Sequence, residues 1–109
     1  MRSVLGIKYN VIVYDSAYRD VKSVYDFCKF KYGIEYAEKI INKIKQEIYL
    51  LQNFPLSRPT YFVSKELVFK KKIVNKRYLV IFSVFKNSIN IYYVYDGRRN
   101  IVPKDLFKV

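Results

Sequence analysis

The apolar positions of this chain change period twice, and the changes divide it into elements. Ile7 to Tyr14, "IKYNVIVY", is a β-branched and aromatic run bounded by Asp15-Ser16, which predicts a strand followed by a helix start. Asp15 or Ser16 is expected to cap that helix by accepting a first-turn N–H. Apolar residues then fall at Ala17, Val21, Val24, Tyr25 and Cys28, one stripe at helical period. Gly33 is expected to end the helix, since it has no Cβ to oppose a left-handed backbone. Ala37, Ile40, Ile41, Ile44, Ile48 and Leu51 form a second stripe that stops before Phe54-Pro55. So short a connection predicts an antiparallel helical hairpin.

After "PLSRPT" the period becomes two. "LVFKKKIV" (67–74), "YLVIFSVF" (78–85) and "SINIYYVY" (88–95) predict three strands joined by tight turns at 75–77 and at Lys86-Asn87. The order β-α-α-β-β-β implies an α+β domain, an antiparallel meander with the two-helix hairpin packed on one face. With 109 residues, and three Gly and three Pro that never cluster, residues 1–109 are expected to form one domain without a linker.

Charge narrows the function. The chain has 21 Lys+Arg against 9 Asp+Glu, a formal net of +12. Such a balance opposes compaction and attracts a polyanion: nucleic acid, an acidic protein or an anionic membrane. Histidine is absent, which excludes a Ser-His-Asp triad, a His–Cys–Cys zinc site and a histidine general base. No cofactor or metal is expected. Cys28 is the single cysteine, so there is no intrachain disulfide, and a buried inert thiol is expected. The first ten residues lack a signal-peptide core and no apolar run approaches a membrane span. A cytoplasmic protein without a membrane partner is therefore expected.

Strand alternation places Val68, Lys70, Lys72 and Val74 on one face and Leu67, Phe69, Lys71 and Ile73 on the other. The Leu-Phe-Ile face is the expected core, which would leave Lys70 and Lys72 side by side on an open face. Arg77, in the adjoining turn, and Arg98-Arg99, after the last strand, would flank it. Lys71, Arg77, Arg98, Tyr93 and Tyr95 are candidate nucleic-acid contacts, cations for phosphates and rings for unstacked bases. The same residues also suit a solvated strand surface with tyrosines covering core edges.

Four stretches, in this order, carry a resemblance: the first strand and helix; "YGIEYAEKIINKIKQEIYLLQNFP" with "RP" close behind; "VNKRYLVIFSVF"; and "YYVYDGRR". Together they resemble the RelE/ParE superfamily of type II toxin–antitoxin toxins over about Lys8 to Pro103. The resemblance implies a growth-arresting toxin whose active surface is occupied by an acidic cognate antitoxin. In its RelE-like branch, which cleaves mRNA on the ribosome, two lysines one residue apart match Lys70 and Lys72. The arginine after the last strand's glycine matches Arg99. That branch also implies an arginine where this chain has Leu79 and a tyrosine near Asp105. Its ParE-like branch inhibits DNA gyrase and needs no catalytic set; the long hairpin, "FP…RP" and the arginine pair are similar to it. Ribosome-dependent cleavage by Lys70, Lys72 and Arg99 is the leading expectation. Gyrase inhibition and a non-catalytic basic nucleic-acid-binding module are the alternatives.

Overall fold

The computed structural model describes residues 9–98, so Arg99 and Asp105 lie outside the described residues. Strand β1 (Asn10–Val13) leads into helices α1 (Asp15–Tyr32) and α2 (Ile34–Leu50), and a single 3-10 turn at Pro55–Ser57 follows. Four strands complete the chain: β2 (Thr60–Ser64), β3 (Leu67–Val74), β4 (Tyr78–Phe85) and β5 (Ser88–Asp96). The sheet order is β1-β5-β4-β3-β2, antiparallel from β2 to β5, with β1 added parallel to β5.

The expected α+β order stands, with two additions. Thr60–Ser64, which starts at the last residue of the expected loop and is not among the expected strands, is an edge strand paired to β3. The sheet is also mixed, because β1 returns beside β5 in parallel register, Asn10 opposite Ser88 and Val13 opposite Ile91.

Local chemistry explains the element ends. Gly33 is the whole link between the helices: its N–H reaches Lys29 O at 3.0 Å and its carbonyl accepts from Ala37 at 3.1 Å. Its φ of +100° and ψ of 165° lie in a region that essentially only glycine enters. Between β3 and β4, Asn75 and Lys76 both take positive φ, near +55°, and Arg77 N–H closes on Val74 O at 3.1 Å. Two left-handed central residues match the right-handed twist of a hairpin.

Neither Asp15 nor Ser16 caps α1. The Tyr14 carbonyl accepts from Ala17 and Tyr18, while the Ser16 hydroxyl donates to the Tyr92 carbonyl. Asp20 Oδ2 accepts from Val94 N–H at 2.9 Å. These bonds have a common purpose. Strand β1 ends opposite Ile91, and beyond that point α1 side chains satisfy the backbone groups that β5 would otherwise leave bare.

The main core lies between hairpin and sheet. Ala17, Val24 and Cys28 of α1 and Ala37, Ile40, Ile41, Ile44 and Ile48 of α2 pack on Val74, Tyr78, Val80, Phe82, Ile89, Ile91 and Val94. As expected, Cys28 is fully buried; its Sγ lies 3.4 Å from the Tyr78 hydroxyl. Burial first, then that contact, pushes the Tyr78 phenol far up, so it stays protonated.

A second cluster occupies the opposite, helix-free face: Phe69, Ile81 and Tyr95, with Tyr61, Phe62, Leu67, Leu79, Tyr92 and Tyr93 around them. A β-bulge in β5 sets its composition. Register passes from Ile81 opposite Tyr93 to Phe82 opposite Ile91, so Tyr92 is the extra residue and joins Tyr93 in this cluster.

Candidate functional site

The strand lysines stand on faces opposite to those expected. Val74, Val80 and Phe82 of the helix-packed core fix which alternate positions look toward the hairpin, and Lys70 and Lys72 fall on that side. Lys72 Nζ meets Glu47 Oε1 of α2 at 3.0 Å, with the lysine side chain only 14% exposed. Glu47 also lies 3.9 Å from Lys43. Lys70 Nζ donates to the Arg58 carbonyl at 3.1 Å. The open-face placement of this pair is therefore corrected. Lysine stems are apolar enough to lie along a core margin while the ammonium finds a partner at the rim.

Lys71 takes the helix-free face instead, in line with Ile81 and Tyr93 across the sheet. Of the three strand lysines it is the one on the aromatic cluster. Tyr93 is half-buried there and packs against that cluster. Tyr95 is not available: it is buried, and its hydroxyl lies 2.6 Å from that of Tyr61 on β2. That contact spans from the second strand to the fifth, so side chains of this face meet one another across β3 and β4. Tyr92 is likewise engaged, its hydroxyl 2.9 Å from Ser83 Oγ and its ring 5.4 Å from Phe69, edge-on.

Arg77 is not the exposed turn cation expected. Nε donates to Asp96 Oδ2 at 3.0 Å, and Nη2 lies 2.9 Å from the same oxygen without an aligned hydrogen bond. The guanidinium also covers the Tyr78 ring at 5.2 Å and the Phe27 ring of α1 at 5.8 Å. It is a structural bridge between the end of the sheet and the helical hairpin.

Asp96 joins Arg77 to Arg98. It accepts from the Arg98 backbone N–H at 2.9 Å, from Nε and from Nη2 at 3.0 Å. Partial burial acts to raise the Asp96 carboxyl, but the Arg98 and Arg77 bonds outweigh it and hold the group down at about 2. The Arg98 side chain remains 67% exposed, so it is oriented and still accessible. Gly97 permits this geometry. A Cβ there would lie 2.8 Å from the Arg77 carbonyl and 2.5 Å from Leu79 Cδ1. Leu79, at the position where the resemblance implies an arginine, thus packs beneath the Asp-Gly turn on the aromatic face.

The described residues form two basic regions rather than one basic sheet face. Lys70 and Lys72 follow β3 on the hairpin side, Lys70 reaching the backbone of Arg58 just before β2. Arg98 stands at the far end of β5, fixed by Asp96. Among the described residues no group of three or more His, Cys, Asp or Glu could hold a metal, and no helix is long and apolar enough to cross a membrane. Sequence reasoning missed Asp96, Glu47 and Asp20. Asp96 alone had a local signal, in the Asp-Gly-Arg-Arg order.

No family model matches the sequence, and no curated protein matches it. Solved structures do. The chromosomal ParDE TA system from P. aeruginosa aligns over 82% of this chain and 96% of its own, with TM-score 0.70 and 17% identity. The archaeal RelE-RelB complex from Pyrococcus horikoshii OT3 aligns over 84% of this chain and 99% of its own, with TM-score 0.58 and 16% identity. The chain has a RelE/ParE-like fold, two helices on a five-stranded mixed sheet.

Proposed function

We propose that this chain is the toxin of a type II toxin–antitoxin pair, held inactive by an acidic antitoxin. The observation that carries this reading is the fold: near-complete alignment with chains from a ParDE system and from a RelE-RelB complex. A net charge of +12 supplies the complement an acidic partner needs.

For the target, the geometry favours inhibition by binding, as in the ParE-like branch that acts on gyrase. A phosphoryl-cleaving site needs several cations converging on one phosphate. Here Lys72 is already neutralised by Glu47, Arg77 by Asp96, and Leu79 occupies the implied arginine position. The second reading, ribosome-dependent mRNA cleavage, draws on Lys70 and Lys72 sharing one strand face beside Arg58, with Arg99 as the third cation.

Two assays on purified protein separate these readings. Gyrase supercoiling should be blocked, while primer extension on a translated message should show no new ends. Cuts that require ribosomes, and that vanish in Lys70→Ala, Lys72→Ala and Arg99→Ala variants, would instead establish the nuclease. A protein that neither arrests growth on expression nor binds a co-encoded acidic protein would remove the toxin reading altogether.

A further inference from the structure

The least explained feature of the molecule is the apex of the hairpin. Phe27, Phe30, Tyr32 and Ile34 crowd the two helix ends around Gly33, and all four are exposed, Phe30 to 89%. Exposed apolar residues scattered singly need no explanation, whereas a contiguous group on a charged surface marks a contact site. The apex is also held in place. Arg77 lies over Phe27, the Tyr32 ring sits 4.9 Å from that of Tyr36, and the one-residue link fixes the angle between the helices.

Charge indicates what kind of partner fits. Lys29 and Lys31 interleave with the apolar residues, Lys76 turns the neighbouring strands, and Arg98 is linked to Phe27 through Asp96 and Arg77. The acids nearby are mostly committed: Asp26 to Lys22 at 3.1 Å, Asp96 to two arginines. Among the described residues Glu35 and Glu38 are what remains against Lys29, Lys31, Lys76 and Arg98.

These observations argue against other occupants. A second copy would bring the same lysines face to face at +12 per chain. A single-stranded nucleic acid needs successive free rings to stack on. Here the Phe27 face is taken by Arg77 and the Tyr32 ring by Tyr36, which leaves Phe30. An aliphatic and aromatic knob ringed by cations suits an apolar pocket with an acidic rim, on a folded protein.

We propose that this apex, Phe30 and Ile34 at its centre with Lys29, Lys31 and Arg98 around it, is the surface by which the protein grips an acidic pocket on its protein target. The inference rests on the toxin reading and names the contact region for that activity. Asp96 acts within it as a positioning residue that aims Arg98.

The test compares wild type with Phe30→Ser/Ile34→Ser, both helix-surface changes, and with Lys29→Glu/Lys31→Glu. Growth arrest, inhibition of purified gyrase, binding to the co-encoded acidic protein and the circular dichroism melt are measured for each. The expected result is a loss of arrest and of gyrase inhibition by at least tenfold, with antitoxin binding and the melt retained. Variants that arrest growth as well as wild type would overturn the inference. So would loss of antitoxin binding with arrest intact, which would assign the apex to the antitoxin. Sedimentation of wild type with phosphatidylserine vesicles, lost in the Phe30→Ser variant, would overturn it in favour of a membrane. If wild type itself causes no arrest, the toxin reading fails first, and the two failures stay distinct.

Discussion

Gly97 is held to its identity by space, at a point where two regions meet. Any side chain there meets the Arg77 carbonyl, which is backbone and cannot swing away, as well as Leu79. Gly97→Ala should therefore cost about 1–3 kcal/mol, an overpacking penalty read from urea denaturation. Leu79→Ala should relieve it only in part, because the carbonyl contact remains. Beside it, Asp96 makes stability pH-dependent. Its folded carboxyl titrates at about 2, below the ordinary carboxylate value, so its contribution is complete above about pH 4 and is lost as pH falls toward 2. A melting series over that range should show Asp96→Asn losing less stability on acidification than wild type. An equal acid limb in both would remove this role.

Elements show where the sequence was readable and where it was not. Strands β3 and β4 begin and end where alternation and turn residues put them, because hairpin pairing is local and its signals are adjacent. Strand β2 left no such trace: "TYFVS" follows a proline-bounded segment and is too short to show a period. Alternation also grouped Lys70 with Lys72 correctly but could not say which face the helices would cover. That choice rests on Val74, Val80 and Phe82 meeting the isoleucine stripe of α2 in three dimensions. The bulge at Tyr92 was hidden for a related reason, since "IYYVY" reads equally well with or without it. Two predictions belong at this scale. Gly33→Ala should cost about 1–3 kcal/mol in a thermal melt although the new Cβ would meet nothing beyond its own chain neighbours within 4 Å, because the cost is backbone strain. Asp20→Ala should cost about 1–3 kcal/mol, since the Val94 N–H would lose its acceptor at the bare edge of β5, and hydrogen exchange should quicken at Val94 first.

At the scale of the whole molecule, charge is distributed with a division of labour. Part of it is internal, with Glu47 holding Lys72 and Asp96 holding Arg77, while most lysines remain on the surface. The surface excess should make association with an acidic partner fast and salt-sensitive. Raising salt from about 0.05 to 0.5 M is expected to slow association by at least tenfold while changing dissociation much less, as stopped-flow mixing would show.

The parallel pairing of β1 with β5 has a temporal side. Among the described residues the first strand finds its partner in the last, Asn10 against Ser88, across both helices and the entire meander. A growing chain emerging from the ribosome therefore holds β1 without a mate until β5 has been made. Closing so long a loop is entropically costly, and such contacts form late. The hairpin of helices and the β3–β4–β5 meander can assemble from neighbours; the sheet as a whole cannot. A chain of this design completes its sheet only once β5 has been made, and not when the helices and the first strands are in place.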